Sequence, residues 1–476
     1  MNPLDLPDIA LEVAPYLKRR DHVRCAYVCK AWYRSFLPAV WEEVSIKSNP
    51  DGVILKGPLP EVLERHRELV LKLDAEDIAE EQLNIEFPNL VSVTLSQYRR
   101  STVITMNPSI VHLRLYNNGA HFSSTFWNAL SAALPRLESL SVGSGVMFGF
   151  DVKSAFWTAC LPLKELELDT MVMGSRLVPD GIRFPRMRVL KLDTSTEASA
   201  EEQIGLLCLF PALEELTWKS GKDTWTQTTI WESFSEKIAC GTWPSLQKLY
   251  IQDAIRDGHV GAILESMPQQ PIKLMFASSS LQDLGFSALR RHFDGLRSLD
   301  FPNCHALESP KVVEILTSCP ALEAFRGFRV QAKDIVDGKP WSCLSLRKLA
   351  VGIVFDEWEE DLQPLVFKRL SDLTRLQHLT VGHGVLLERL QFQYSLDLRL
   401  QSGLGALSRL REMRHLNVTG TRQALDKEDI RWMQVHWRQL EEVGGALNMD
   451  PTVGEALEIM LLSSYYDLSL YTIDSL

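Results

Sequence analysis

One short pattern recurs along most of the chain and limits what the chain can fold into. The pattern is Leu-x-x-Leu-x-Leu, in which other apolar residues replace leucine freely. Its clear copies are Leu137/Leu140/Val142, Leu163/Leu166/Leu168, Met187/Leu190/Leu192, Leu213/Leu216/Trp218, Leu246/Leu249/Ile251, Leu296/Leu299/Phe301, Leu346/Leu349/Val351 and Leu376/Leu379/Val381. With poorer copies the count is fifteen, and eleven of the fourteen intervals span 20–29 residues. A unit this short cannot bury its own apolar residues, so a stacked array is predicted.

The residues between the copies predict one strand and one helix per repeat. Alternation in the second half of the pattern turns the leucines to one side of a strand and the intervening residues outward. Seven copies have a proline two residues before the first apolar position: Pro88, Pro108, Pro135, Pro185, Pro211, Pro244 and Pro320. Proline lacks the amide that a helix needs, so it ends the preceding helix. Amphipathic helices are predicted upstream, for example over 126–134, 202–210 and 312–319.

The repeat resembles the leucine-rich repeat, and its uneven lengths resemble the cysteine-containing and fungal F-box types. The resemblance implies an α/β fold: a horseshoe-shaped solenoid with parallel strands on the concave face and helices on the convex face. The predicted array covers residues 47–448, and residues 449–476 are predicted to form a helical cap or tail. A single copy is more typical of an ordinary buried strand, but fifteen copies at one spacing favour the array.

Residues 4–41 do not follow the repeat. They contain Leu-Pro-Asp-Ile at 6–9, Val-Cys-Lys-Ala-Trp at 28–32 and a tryptophan at 41. This order and spacing resemble the F-box, a helical module that binds a Skp-type adaptor and thereby a cullin–RING ubiquitin ligase. Two departures are Pro15 and the valine at position 40. Carried over by position, the resemblance implies adaptor contact, or its direct support, at Leu6, Pro7, Ile9, Val13, Leu17, Val28, Cys29 and Trp32.

The same residues predict three short helices. Apolar faces at helical spacing are expected at Ile9, Val13 and Leu17 in the first helix and at Trp32, Phe36 and Val40 in the third. Pro15 should shorten or kink the first helix, and Asp21 should cap a second helix over 23–29. A module this small has little core, so partners are expected to cover its remaining apolar surface. The alternative is that these residues only pack a cap on the solenoid.

A repeat strand is predicted directly after the helical module. Trp41, Val44 and Ile46 match the three apolar positions of the repeat. Residues 1–46 are therefore predicted to be a helical module that ends in the first repeat strand. This arrangement would join the module to the solenoid without a flexible linker.

Motifs for catalysis or cofactor binding are not found in the sequence. It has no phosphate loop, no Gly-x-Ser-x-Gly, no His-Glu-x-x-His and no dinucleotide fingerprint. The eleven histidines lack metal spacing, and the eight cysteines form no Cys-x-x-Cys pair. We therefore expect reduced, buried thiols, no metal, no cofactor and no enzymatic activity. No basic cluster in the sequence indicates a pocket for an inositol phosphate or another small molecule.

The charge balance argues against nucleic acid and membrane surfaces as partners. Lys and Arg total 50 against 61 for Asp and Glu, which gives a net charge of −11. Binding to nucleic acid phosphates or anionic lipids requires clustered basic residues. The chain has no run of 18 apolar residues and no basic-then-apolar N-terminus, so neither a membrane span nor a secretory signal is expected. A cytoplasmic or nuclear protein is predicted.

The outward side chains of the strands are the predicted target-binding surface. The candidates are His112, Arg114, Tyr116, Glu165, Glu167, Asp169, Lys248 and Tyr250. This mixture favours a protein or peptide target, and the acidic triplet at 165–169 could receive a basic segment or be ordinary solvated charge. The sequence thus predicts a non-catalytic substrate receptor of a Skp–cullin–F-box ligase. The alternative is a leucine-rich-repeat scaffold that does not direct degradation.

Overall fold

The computed structural model describes most of the chain and divides it into two compact units. The described residues are 7–17, 19–48, 54–76, 83–96, 102–116, 122–143, 147–148, 150–169, 172–173, 181–193, 199–220, 228–267, 271–277, 279–356, 359–382 and 395–463. The first unit covers 1–222 and the second 223–476. This division falls within the predicted repeat array, and the predicted limits at 46 and 448 stay predictions.

The first unit contains eight helices and a sheet of parallel strands among its described residues. The helices are α1 (Pro7–Val13), α2 (Arg19–Ala26), α3 (Lys30–Trp41), α4 (Pro60–Arg65), α5 (Thr102–Met106), α6 (Ser124–Ala133), α7 (Phe150–Cys160) and α8 (Ala200–Leu207). The strands are β1 (Glu43–Ser48), β2 (Ile54–Lys56), β3 (Lys72–Glu76), β4 (Ser92–Ser96), β5 (His112–Tyr116), β6 (Ser139–Val142), β7 (Met147–Phe148), β8 (Glu165–Leu168), β9 (Val172–Met173), β10 (Val189–Asp193) and β11 (Glu215–Lys219).

Eight of these strands pair in parallel, in the order β1, β3, β4, β5, β6, β8, β10 and β11. Strand β2 pairs antiparallel with β1, while β7 and β9 form a separate parallel pair. The register places one apolar residue of each repeat in a ladder: Val44, Leu73, Val93, Leu113, Leu140, Leu166, Leu190 and Leu216. Each is at most 2% exposed, because alternation along the strand turns it toward the helices.

Aromatic residues of the helices and turns fill the space behind this ladder. Trp127 of α6 meets Phe156 of α7 with ring centroids 4.8 Å apart, and both are fully buried. Phe184 and Phe210 precede successive strands and stack at 4.8 Å. Pro135 stands in a turn between α6 and β6, and Pro211 in a turn between α8 and β11, which confirms that these prolines separate helix from strand.

The second unit repeats the same plan. Its helices are α9 (Thr228–Ala239), α10 (Asp257–Ser266), α11 (Asp283–Arg290), α12 (Ser309–Ser318), α13 (Ala332–Asp337), α14 (Gln363–Ser371), α15 (Lys427–His436) and α16 (Pro451–Ser463). Its strands are β12 (Lys248–Ile251), β13 (Lys273–Phe276), β14 (Ser298–Asp300), β15 (Ala324–Gln331), β16 (Lys348–Val354), β17 (His378–Thr380), β18 (His415–Asn417) and β19 (Glu442–Gly444). They pair in parallel in chain order.

The second ladder also stands at equivalent strand positions: Leu249, Leu274, Leu299, Phe325, Leu349, Leu379, Leu416 and Val443. The long interval before β18 contains two short 3-10 helices, Leu400–Ser402 and Leu404–Arg409. Helices α6, α8 and α12 lie within three residues of their predicted bounds. Parallel strands with one connecting helix or turn per repeat make each unit a leucine-rich-repeat solenoid, so the predicted fold class is confirmed.

Candidate protein-binding surfaces

The first helix of the N-terminal module is shortened by a proline. Helix α1 ends at Val13, and Ala14–Tyr16 continue as a single 3-10 turn with Pro15 in its first positions. The predicted effect of Pro15 is therefore confirmed. Leu17 follows in extended backbone with φ −95° and ψ 149°, so the prediction that it shares a helical face with Ile9 and Val13 was wrong. The chain has left the helix before it reaches Leu17.

The second and third helices begin and end at other residues than predicted. Helix α2 begins at Arg19, so Asp21 lies in its first turn and the predicted N-cap was wrong. It ends at Ala26, which leaves Val28 and Cys29 in the connection. Cys29 is instead the N-cap of α3, where its Sγ accepts a hydrogen bond from the Trp32 backbone N–H at 3.5 Å. A thiol is a weak acceptor, which hid this cap from a pattern that expects Ser, Thr, Asp or Asn.

The core of the module is very small. Its fully buried cluster consists of Ala10, Ala14 and Phe36, with partly buried residues such as Leu17 and Trp32 packed against it. The Trp32 and Phe36 rings lie 5.4 Å apart. His22 Nε2 is 2.7 Å from the Ala14 carbonyl oxygen and so ties α2 to the turn after α1. Among the side chains described in these helices, two alanines and one phenylalanine are too little core to cover the apolar residues around them.

Large apolar side chains are consequently exposed on the module. Tyr16 is 87% exposed, Tyr27 83%, Val28 63%, Tyr33 46% and Val13 39%. These five belong to the sixteen exposed large apolar side chains found among the described residues of the chain. Exposed apolar residues that gather in one segment mark surfaces for other proteins. The three tyrosines were not predicted, since their positions fit no apolar spacing.

The residues that were predicted to contact an adaptor differ in how deeply they are buried. Val13, Val28 and Cys29 are exposed, and Ile9, Leu17 and Trp32 are half-buried. Pro7 is the first residue of α1, while Leu6 lies outside the described residues. The exposed members can contact a partner, whereas Leu17 and Trp32 pack against the buried cluster of the module.

The module continues into the first repeat without a linker. Helix α3 ends at Trp41, and β1 begins at Glu43. The Glu42 carbonyl oxygen accepts hydrogen bonds from the N–H groups of Leu71 at 3.0 Å and Lys72 at 2.9 Å. The Trp41 ring stacks on His66 with centroids 4.3 Å apart. The predicted strand after the module is therefore confirmed.

The outward face of the first unit contains the acidic triplet and its neighbours. His112, Arg114 and Tyr116 are exposed on β5, Glu165 and Glu167 face outward on β8, and Asp169 follows that strand. Arg114 Nη2 lies 3.8 Å from Glu167 Oε2, and Lys191 Nζ lies 3.5 Å from the same oxygen. The middle carboxylate of the triplet, Glu167, is thus partly neutralised by two cations.

The Tyr116 ring lies against a glycine of the next repeat. A Cβ atom at Gly143 would lie 2.6 Å from Tyr116 Cδ1, so glycine leaves room for the ring in this position. The Arg114 guanidinium lies 5.9 Å from the centre of the same ring. A tyrosine in this position presents a partly apolar contact surface with a polar tip.

The remaining candidates, Lys248 and Tyr250, belong to the second unit. Both are half-buried on β12, where they pair with Lys273 and Met275 of β13. The target-binding role of all eight strand residues stays a prediction. Another outward pair was missed, because His378 and His415 are 37 residues apart in sequence yet are register partners on β17 and β18. Their rings stack at 4.2 Å.

The cysteines fall into three groups by burial. Four are buried, Cys25 and Cys208 are half-buried, and Cys29 and Cys240 are exposed, which corrects the expectation of burial for the exposed pair; the buried four are Cys160, Cys304, Cys319 and Cys343. Burial raises the pKa of Cys304, Cys319 and Cys343 to about 12. Within the described ranges, no group of three or more His, Cys, Asp or Glu side chains is placed to hold a metal ion. None of the described helices has the length and apolar character needed to cross a membrane.

Neither a family model nor a curated protein matches the chain. Several solved structures resemble it at low sequence identity. An internalin from Listeria monocytogenes is 13% identical with a TM-score of 0.37, and the match covers 73% of this chain and 84% of that one. A leucine-rich-repeat protein of Leptospira interrogans is 12% identical with a TM-score of 0.37, covering 79% and 90%. The yeast complex of Rad7 and Elc1 is matched at 12% identity with a TM-score of 0.40, covering 76% and 82%.

Proposed function

We propose that the protein is a substrate receptor of a Skp–cullin–F-box ubiquitin ligase. Its helical module binds a Skp-type adaptor, and the outward faces of its strands bind a protein target. The protein contributes no catalytic group of its own. It accelerates ubiquitin transfer by holding the target near the conjugating enzyme, an effect of local concentration and orientation.

The observation that carries the proposal is the surface of the helical module. The residues that resemble the F-box form three helices, and among the side chains described there the core cluster has three buried members. Tyr27 and Val28 at the α2–α3 connection are more than 60% exposed. An apolar surface of this kind is most stable when another protein covers it. The resemblance to the F-box supports a Skp-type adaptor as that protein.

The junction between module and repeats supports a receptor rather than a loosely tethered adaptor-binding segment. Because β1 belongs to the parallel sheet and follows α3 after one residue, the first repeats are fixed relative to the module. A fixed geometry lets the adaptor determine the position of a target bound to those repeats.

A co-purification experiment tests the proposal. The full chain is mixed with a purified Skp-type adaptor, and the double variant Tyr27→Asp/Val28→Asp is compared with wild type. We expect retention of the adaptor to fall at least about tenfold, because charge at the centre of an apolar interface remains unpaired. Both side chains are exposed, so the variant should fold normally.

The control is Leu284→Asp, which changes a side chain that is 66% exposed in the second unit. It should retain the adaptor as wild type does. Failure of the wild-type protein to bind the adaptor would overturn the proposal. Loss of binding in the control alone, or equally in both variants, would show that the module is not the binding surface.

Degradation of the target needs a separate measurement. Proximity labelling with and without proteasome inhibition should identify proteins that accumulate near the repeats when degradation stops. Their half-lives should lengthen in cells that carry Tyr27→Asp/Val28→Asp. Unchanged half-lives, with adaptor binding intact in wild type, would favour the scaffold that does not direct degradation.

A further inference from the structure

A basic cavity lies in the second unit, where helices and 3-10 turns pass into β17, β18 and β19. Its volume is about 820 Å³, and its lining includes three arginines, a histidine and two hydroxyl side chains but no carboxylate: Thr374, Ser408, Arg409, Arg411, His436 and Arg438. The sequence indicated no such cluster. A pocket of this size can hold a small ligand or one modified side chain.

The repeat register explains how these residues come together. His415 pairs with Glu442 across β18 and β19, an offset of 27 residues. The same offset makes Arg411 equivalent to Arg438. It also makes Arg409 equivalent to His436, so two basic pairs stand on neighbouring repeats. Adjacent strands lie about 5 Å apart, which is close enough for each pair to contact one anion.

Neither arginine is needed to form its turn. The turn that contains Arg411 closes through Met413 N–H and the Leu410 carbonyl oxygen at 3.4 Å. The turn that contains Arg438 closes in the same way, through Leu440 N–H and the Trp437 carbonyl oxygen at 3.0 Å. In seven other repeats the first residue of the corresponding turn is a proline: Pro88, Pro108, Pro135, Pro185, Pro211, Pro244 and Pro320. Other repeats close the same turn with Leu161, Leu344 or Thr374 at this position, so the turn itself does not select a charged residue.

The cavity lining contains no carboxylate, whereas charges two residues before the ladder position of several strands are paired. On the same two repeats Arg414 Nη1 lies 3.9 Å from Glu441 Oε1, and at the equivalent positions of other repeats Arg188 lies 2.7 Å from Glu214 and Arg297 lies 3.3 Å from Glu323. Within the described residues, Arg409 and Arg411 form no ion pair, and the nearby Glu412 accepts a hydrogen bond from Gln377 instead. Like charges on neighbouring repeats repel one another and destabilise the fold.

One of these arginines, Arg438, stabilises the C-terminal end of α15. Arg438 Nε donates to the Val435 carbonyl oxygen at 3.3 Å, and cations near a helix C-terminus interact favourably with its dipole. That interaction requires only one cation. It leaves the equivalent arginine at position 411 unexplained.

We propose that this cavity binds a phosphate monoester. Guanidinium groups present two parallel N–H donors that match phosphate oxygens, and two of them on neighbouring repeats can contact one dianion from both sides. Arg409 and His436 add donors beside them, and the hydroxyls of Thr374 and Ser408 add neutral ones. A discrete cavity on a chain of net charge −11 favours a single phosphate over an extended nucleic acid.

The phosphate can come from two sources, a phosphorylated protein segment or a free small ester, and binding measurements separate them. The full wild-type chain is titrated at constant ionic strength with phosphoserine, with a phosphoserine peptide and with the unphosphorylated peptide. Tighter binding of the phosphopeptide than of phosphoserine identifies a protein segment, and equal binding identifies a small ester. Either result supports the site, provided that the unphosphorylated peptide does not bind.

The double variant Arg411→Gln/Arg438→Gln should bind the phosphorylated probe at least about tenfold more weakly, because two charge-assisted contacts are lost. The control Arg291→Gln/Arg347→Gln removes the same charge from exposed arginines outside the cavity and should bind as wild type does. Equal loss in both variants would reduce the effect to net charge and overturn the proposal.

A measurement on the wild type alone guards against misfolded variants. Replacing chloride by phosphate at matched ionic strength should raise the wild-type Tm, and no rise would also overturn the proposal. Binding of a single-stranded oligonucleotide more tightly than the phosphopeptide would assign the cavity to nucleic acid instead. None of these measurements uses the adaptor, so their failure would leave the proposed adaptor binding untouched.

Discussion

The helical module and the repeats bury their apolar residues in opposite ways. In the repeats, each strand places a leucine or similar residue between those of its neighbours, so that Leu113, Leu140 and Leu166 are almost completely buried. In the module, the buried cluster ends at Ala10, Ala14 and Phe36. The repeats therefore supply their own core, whereas the described part of the module has little core of its own.

Proline use shows the same difference. In the repeats, prolines such as Pro135 and Pro211 stand in turns, where no helical hydrogen bond is lost. In the module, Pro38 lies inside α3 and Pro15 ends α1 early. A proline in a helix interior costs about 3 kcal/mol or more, because it removes a backbone donor and crowds the preceding turn. These differences make the module the locally weaker region.

The largest effect is expected from a cavity in a repeat. Phe210 is fully buried and stacks on Phe184, so Phe210→Ala should lower the free energy of unfolding by about 3–5 kcal/mol. Urea unfolding followed by circular dichroism measures this loss. Tyr116→Ala, at an outward position of the same unit, should change stability far less. A loss in Phe210→Ala no larger than in Tyr116→Ala would contradict the picture of a self-supporting repeat core.

The corresponding change in the module should have a local effect. Phe36 is the largest side chain of the module core, so Phe36→Ala should speed amide hydrogen exchange in α2 and α3 at least about tenfold. Exchange in β4 and β5 should stay unchanged, because their ladder lies outside that core. Tyr33→Ala, at a half-exposed position of α3, is the control and should leave exchange near wild type. If Phe36→Ala also speeds exchange in β5, the two regions unfold together and the comparison fails.

The sequence predicts the repeat fold because the signal is periodic and shared by many copies. An apolar residue at every second strand position determines both the register and the inward face, as at Leu190 and Leu192. The junction at Val44 was predictable for the same reason. Candidate residues on strands, such as Arg114 and Glu167, therefore face outward as the alternation requires.

The residues that the sequence did not predict depend on contacts between distant segments or on weak local signals. Cys29 caps α3 through a thiol, a weak acceptor that the usual Ser, Thr, Asp and Asn cap pattern does not include. Arg411 and Arg438 become neighbours only after the register of two repeats of unequal length is known. Before that register is known, each is an ordinary charged residue in a turn.

The smallest expected effect is on the pH dependence of stability, and it arises in the repeats alone. Burial lowers the pKa of His378 below its usual value, the nearby His415, Lys348 and Arg414 lower it further, and Glu441 opposes them. The pKa of His378 is lower in the folded chain than in the unfolded chain, where it is about 6.5, so protonation favours the unfolded chain. The stability that neutral His378 contributes is therefore present above about pH 6.5 and is lost as the pH falls below that value. We expect the Tm to decrease less between about pH 7.5 and pH 5.5 in His378→Gln than in wild type. His112→Gln, at an exposed position of β5, should show the same decrease in Tm between these pH values as wild type. Amide exchange in the module should be the same in His378→Gln as in wild type. A variant His378→Gln with unchanged acid sensitivity would show that the stacked histidine pair does not set the response of the repeats to acid.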